Sequence, residues 1–186
     1  YELILKKEFK HLSLASLAPD LKERIFIING FAKGWAMTGW RVGYLVGQKD
    51  VIKASSALQS QSTSNVCSFV QRGALEALKI NQEFFLKINS HYDLRREALY
   101  KGLKNIEGLF LYPPDGAFYA FPRLPNNSIT SVEFCKKILN DYGLVVVPGK
   151  PFGDDQCFRI SCASSKEKIL DGLSRLEKAI SNYYFK

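Results

Sequence analysis

Apolar residues along this chain fall into short continuous runs and into longer stretches with helical spacing. Arg24-Ile25-Phe26-Ile27-Ile28 is rich in β-branched residues and stops at Asn29-Gly30, which predicts a strand followed by a turn. Val42-Gly43-Tyr44-Leu45-Val46, closed by Gly47, predicts a second strand. Both runs are apolar at successive positions instead of alternating, the pattern of strands covered on both faces of a sheet. Lys49 to Leu58 has a charged start and helical apolar spacing. The polar residues Gln59-Ser60-Gln61-Ser62-Thr63-Ser64-Asn65 then predict a loop, either a plain solvent loop or a functional one.

From Val66 to Asn105 the spacing is helical. Ala74, Leu75, Ala77 and Leu78, then Phe84, Phe85 and Ile88, recur at intervals of three and four. Gly73 and the break near Ile80-Asn81 predict a kink or two helices in series. A long helical element of this kind is expected to join two domains, which sets the divisions at 1–65, 66–105 and 106–186. Beyond it, Gly116 to Phe121 predicts a strand stopped by Pro122. Ser131 is placed to cap a helix that Gly143 ends, and Leu144-Val145-Val146-Val147 and Cys157-Phe158-Arg159-Ile160-Ser161 predict further strands. Ser165 can cap a last helix with Ile169, Leu173, Leu176 and Ile180 on one face. Strands and helices mixed in this way point to a small α+β domain.

Composition narrows the function classes. The hydrophobic fraction of 46% and charged fraction of 24% are those of an ordinary globular protein, which excludes intrinsic disorder. No apolar run approaches the roughly 20 residues that cross a bilayer, so no membrane partner is expected. The net charge of +8 invites a nucleic-acid reading. The basic residues are scattered among acids, however, with no binding signature, so a solvated surface and no nucleic-acid partner are expected. Cys67, Cys135, Cys157 and Cys162 form no CxxC pair and have only His11 and His91 to help, which argues against zinc. Mostly buried free thiols in a reducing, cytoplasmic setting are expected. The only Met is Met37, so the chain is expected to be a fragment or a trimmed product.

Chemistry is concentrated between Gly30 and Gly43. Here Lys33 follows small residues in a loop, and Arg41 stands at the start of an apolar strand. A lysine in a tight, partly buried loop can serve as an imine-forming nucleophile once desolvation and nearby cations favour its neutral form. An arginine offers a planar fork matched to phosphate oxygens. By residue type alone, a surface lysine beside a strand-flanking arginine is the competing reading.

The stretch Gly30-Phe31-Ala32-Lys33-Gly34-Trp35-Ala36-Met37-Thr38-Gly39-Trp40-Arg41-Val42-Gly43 resembles the cofactor-lysine signature of the class I aminotransferases of the fold type I pyridoxal-phosphate family. Trp35 to Tyr44 is especially similar to the bacterial aspartate-aminotransferase-like subgroup. The resemblance implies that Lys33 holds pyridoxal 5'-phosphate covalently and that Arg41 binds its phosphate. Tyr1 matches the tyrosine of an Asp-Glu-x-Tyr motif whose hydroxyl contacts the cofactor ring oxygen. Pro114-Asp115-Gly116-Ala117-Phe118-Tyr119 resembles the strand that leads into the small domain, and Val146 to Phe152 the segment ahead of the last strand. Phe158-Arg159-Ile160-Ser161 is similar to the strand whose arginine binds the substrate α-carboxylate, a structural salt bridge being the alternative for an arginine in an apolar strand.

In full, the resemblance implies an α/β fold: the end of a large, mainly parallel-sheet cofactor domain (1–65), a long connecting helix (66–105) and a small α+β domain (106–186). The implied activity moves an amino group between an amino acid, aspartate or similar, and a 2-oxo acid, in a homodimer. The polar residues 59–65 would then reach toward the partner's site through Ser62, Thr63 and Ser64. The family's aspartate for the pyridine nitrogen lies three residues before that tyrosine and so is not in this sequence, and the chain alone is expected to be inactive. A β-lyase or elimination on the same fold, or a non-catalytic aminotransferase-like sensor domain, are the alternative functions.

Overall fold

The computed structural model describes residues 1–186 and divides into two compact units, Tyr1–Leu86 and Lys87–Lys186. The division falls inside a helix. In the first unit, a single-turn helix α1 (Leu14–Leu17) and a 3-10 turn (Pro19–Arg24) lead into strand β1 (Ile27–Gly30). A bent loop follows, then a 3-10 turn (Thr38–Trp40), strand β2 (Gly43–Val46), and helices α2 (Lys49–Ser62), α3 (Ser68–Ala77) and the start of α4 (Gln82–Asn105).

Strands β1 and β2 pair antiparallel, with Ile27 opposite Val46 and Gly30 opposite Gly43. Glycine is needed at the closed end of this ladder, because a Cβ on Gly43 would lie 2.7 Å from the Asn29 carbonyl oxygen. Phe31, Met37, Ala74 and Ala77 form a small core, with Trp35 and Val42 packed against it.

Several expectations are corrected here. Arg24 ends a 3-10 turn, and β1 begins at Ile27 and runs through Asn29-Gly30, the pair read as a turn. The turn lies one step later because Phe31 is drawn into the core at 3% exposure. The strand pairs within this chain are antiparallel.

The polar stretch from Gln59 to Asn65 is mostly helix, not loop, since α2 continues to Ser62. Serine hydroxyls there bond back onto the helix, Ser60 Oγ to the Ala57 carbonyl at 2.8 Å and Ser62 Oγ to the Leu58 carbonyl at 3.0 Å. Thr63 closes the helix through its N–H to the Gln59 carbonyl, and only Ser64 turns left-handed, at φ 60°.

The second unit packs the rest of α4 with α5 (Ser131–Tyr142), α6 (Lys166–Ile180) and a three-stranded sheet of β3 (Tyr119–Ala120), β4 (Val147–Pro148) and β5 (Phe158–Ser161). The order is β3-β5-β4, antiparallel throughout. Leu99 and Leu103, one turn apart on α4, join Phe134, Ile138, Phe158 and Leu176 in the core. Helix α5 starts at a capping box one residue earlier than expected, with Thr130 as cap and Glu133 reaching back to its N–H, so Ser131 is already helical. Gly143 ends α5 in the left-handed region as expected, and Ser165 caps α6. Strand β3 is shorter than Gly116–Phe121 because Ala117 adopts φ 55°, which breaks the extended run just before Tyr119.

Candidate active site

Lys33 sits in a hydrogen-bonded bend between β1 and the second 3-10 turn. Its carbonyl accepts the Ala36 N–H at 3.1 Å, and the bend is closed by the Met37 N–H on the Phe31 carbonyl at 3.3 Å. Phe31 and Met37 are buried on either side, so the bend is anchored at both ends while Lys33 stays half-buried at its outer part. Trp35 braces it further: its indole N–H donates to the Ala77 carbonyl at 2.9 Å, and its ring lies 4.9 Å from Phe31 and 5.9 Å from Phe85. Two residues of this loop, Ala36 (φ 55°) and Arg41 (φ 51°), are non-glycine residues in the left-handed region. Such conformations cost about 1–3 kcal/mol each and persist where surrounding contacts over-determine them, often at functional sites.

Arg41 caps the 3-10 turn, two residues before β2. It is exposed, its Nη1 donates to the Thr38 carbonyl at 2.8 Å, and it makes no ion pair. Most of the guanidinium fork is therefore open to an anion.

Tyr1, 42% exposed, is brought beside this loop by its neighbours in sequence. The Asn29 amide donates to Glu2 Oε1 at 2.6 Å, tying residue 2 to β1. The Leu3 side chain packs on Gly34, where an added Cβ would meet it at 2.8 Å. Tyr1 and Lys33 thus belong to one neighbourhood of the first unit. A side chain at Gly34 would have to displace that of Leu3.

Arg159 belongs to the second unit. Alternation along β5 sends Phe158 and Ile160 into the core and leaves Arg159 and Ser161 on the other face. Its guanidinium carbon lies 4.4 Å from the Tyr119 ring centre and 4.8 Å from that of Phe152. Tyr119 is opposite Ser161 in the ladder, so it is the diagonal neighbour of Arg159, within reach of a long side chain. Its contacts within this chain are these two rings, and no carboxylate of the chain pairs with it. Its charge is balanced by ring faces, which leave the in-plane N–H edges for a planar anion. The two rings were missed in the sequence, although Pro114–Tyr119 and Val146–Phe152 were both marked. A ladder register and a turn were needed to show that they meet one arginine.

Ser62 has its hydroxyl committed to the Leu58 carbonyl, while Thr63 and Ser64 follow the end of α2. A shallow hollow of about 400 Å³, bordered by Lys22, Glu23, Ile27, Val46 and Gln48, touches none of the predicted site residues. Three thiols, Cys135, Cys157 and Cys162, are buried and Cys67 is exposed, all four unbridged. No group of acidic, histidine and cysteine side chains suits a metal ion. No helix is long and apolar enough to cross a membrane.

The family model described as aminotransferase class I and II matches residues 2–176. The chain belongs to that family. It is 39% identical to a probable aspartate/prephenate aminotransferase of Rickettsia felis, over 100% of this chain and 48% of that protein. An aspartate aminotransferase of Pyrococcus horikoshii is 36% identical, over 97% of this chain and 46% of its own length. Among solved structures, the aspartate aminotransferase from Rhizobium meliloti superposes with a TM-score of 0.87 at 36% identity, covering 97% of this chain and 48% of that one. An aromatic aminotransferase from Pyrococcus horikoshii gives 0.89 at 33% identity, covering 98% and 49%. The chain thus spans about half the length of the curated relatives it matches, and its mixed α/β fold is that of this aminotransferase family.

Proposed function

We propose that the protein carrying this chain is a pyridoxal-phosphate-dependent aminotransferase that moves an amino group between an amino acid, aspartate or a similar one, and a 2-oxo acid. The observation that carries this reading is one braced loop presenting a primary amine at Lys33 and an unpaired guanidinium at Arg41, inside a family match over residues 2–176. The donor set suits an anionic aldehyde: Lys33 for the carbonyl carbon, Arg41 for the phosphate, and the Tyr1 hydroxyl for the ring oxygen. When bound, pyridoxal phosphate would supply the electron sink that makes a substrate Cα proton acidic.

Every other part of the chemistry falls to side chains. Lys33 Nζ would hold the cofactor's carbonyl carbon and would be the group placed to take a proton from the substrate Cα and return it, as base and then acid. Arg41 holds the cofactor ring in register through the phosphate. Arg159 binds the substrate α-carboxylate edge-on and so orients Cα, a positioning effect. Residues 1–65 form the end of the cofactor domain, 66–105 the connection and 106–186 the small domain in this reading.

A cytoplasmic homodimer completes the proposal, in keeping with the unbridged thiols for the cytoplasm and with the family resemblance for the dimer. Residues 62–64 then reach toward the partner subunit from the end of α2. Sedimentation of the full-length protein at twice the monomer mass is the expected outcome, and a monomer would remove the dimer and the role of residues 62–64.

The deciding experiment adds pyridoxal phosphate to the full-length protein, follows the visible spectrum, and traps with borohydride before peptide mapping. A new near-ultraviolet to violet band with label on Lys33 is expected. No band and no label would sink the assignment and leave a non-catalytic role.

A further inference from the structure

Arg96 is a second arginine of the same unit, and nothing in the reaction described above uses it. It lies on α4 at 2% exposure, among the largest fully buried side chains of the chain. Its Nη2 bonds Asp93, its Nη1 donates to the Ala117 carbonyl at 2.6 Å, and its Nε is buried with no hydrogen bond. A buried arginine with one N–H unmatched is a poor device for stability alone, since well-packed apolar residues of similar volume do as well or better. What it does achieve is specific. It fastens one backbone carbonyl, that of Ala117, and Ala117 is a non-glycine residue held at φ 55°.

That carbonyl opens a short relay. After Ala117, the Phe118 carbonyl accepts the Cys162 N–H at 2.8 Å, and the Phe118 ring stacks on Tyr92 at 5.7 Å. Helix α4 therefore braces this turn twice, through Arg96 and through Tyr92. The chain then enters β3 with Tyr119 opposite Ser161, and its ring lies 4.4 Å from the Arg159 guanidinium. On the other approach, Phe152 is delivered by the 3-10 turn Lys150–Phe152. The left-handed step at Ala117 lies just before a strand whose first side chain contacts Arg159. Without a bond at that carbonyl, relaxation of Ala117 into its preferred region would rotate the backbone that presents Tyr119.

We propose that Arg96 is a positioning residue for carboxylate binding: by holding Ala117 it sets Tyr119 against Arg159, so that the Arg159 fork is pre-oriented for a substrate carboxylate. The inference rests on the reading of Arg159 as the carboxylate-binding group. Loosening Tyr119 forfeits a cation–π contact and lets the arginine sample other rotamers, an effect on the order of tenfold in carboxylate affinity. It acts on substrate and transition state alike, so it appears in KM and not in kcat.

The test uses the full-length, cofactor-loaded protein and succinate, a carboxylate with no amine or keto group to react. Titration calorimetry gives the succinate Kd for Arg96→Met, Arg96→Lys, Arg159→Leu and Leu103→Ala, alongside KM, kcat and melting temperature. Arg96→Met should weaken succinate and raise KM about tenfold with kcat within about twofold, and Arg96→Lys, which keeps a donor for the carbonyl, should recover part of the loss. Leu103→Ala, a core truncation outside the relay, should lower the melting temperature while leaving succinate affinity as it was. Succinate binding unchanged in Arg96→Met, or weakened equally in Leu103→Ala, would overturn the proposal. Should Arg159→Leu bind succinate as tightly as the parent, the carboxylate reading itself fails and takes this inference with it. If Arg96→Met does not fold, Tyr119→Leu tests the same relay from its far end, with a tenfold loss expected and an unchanged Kd overturning it.

Discussion

At the scale of single residues, chemistry depends on which groups are left without partners. Arg41 has one hydrogen bond to its own turn and no acid, whereas Arg96 is consumed by Asp93 and a carbonyl. Replacing Arg41 by Gln should weaken pyridoxal phosphate binding about ten- to a hundredfold, the value of charge-assisted bonds lost to an anion, as a spectroscopic titration of the full-length protein would show. Lys33→Ala should reduce transamination to background and abolish borohydride labelling of this loop; substantial residual turnover would show that the lysine is not the reacting amine. Both residues stood out in the sequence through the resemblance of Gly30 to Gly43 to the family's signature, since residue type alone left a surface lysine and a strand-flanking arginine as the competing reading. The aromatic partners of Arg159 did not, since Tyr119, Phe152 and Arg159 meet only through strand register. The thiols differ in the same way. Burial raises Cys135 and Cys157 to about 11, with Asp154 adding to the effect at Cys157. In the native state only the exposed Cys67 should react readily with a disulfide reagent at pH 8, and all four after denaturation.

Elements are positioned here by close backbone approaches as much as by apolar faces. The turn that carries Phe152 is the sharpest case. Gly149 donates its N–H to the Cys157 carbonyl at 2.8 Å, and a Cβ at Gly149 would lie 2.3 Å from the carbonyl oxygens of both Asp154 and Cys157. These neighbours are backbone atoms and cannot swing aside. Gly149→Ala should therefore cost about 1–3 kcal/mol, displace Phe152 and weaken carboxylate binding, measurable together by calorimetric melting and succinate titration. An unchanged melting temperature would mean that the turn has room to move. Helix ends were readable where the signal is a local hydrogen bond, as at Ser165 and Gly143. They were misread at residues 59–62, where polar composition suggested a loop. Hydroxyls bonding back to helix carbonyls satisfy themselves inside the helix, so composition alone does not end it.

For the whole molecule, titration links burial to stability. Between pH 9 and about 11 the unfolded chain ionises Cys135 and Cys157 while the folded chain keeps them protonated. The folded state then binds more protons than the unfolded state, so stability falls as pH rises through that window. Burial of Tyr184, raised to about 12, extends the same trend upward. Denaturant midpoints measured from pH 8 to 11 should decline, and Cys135→Ala with Cys157→Ala should flatten the decline. A flat profile in the parent would show that these thiols ionise as readily folded as unfolded.

By itself, the sequence determined the family, the place of the loop that carries Lys33 and Arg41, and the faces of the helices, because each rests on residues close together in the chain. A periodic apolar stripe or a loop signature needs no distant partner to be recognised. Tertiary structure alone decided the antiparallel pairing of β1 with β2, the burial of Arg96, the left-handed step at Ala117 and the meeting of Tyr119 and Phe152 on Arg159. Each of those depends on which distant backbone or ring occupies the neighbouring space. Spacing along the chain does not encode that; packing does.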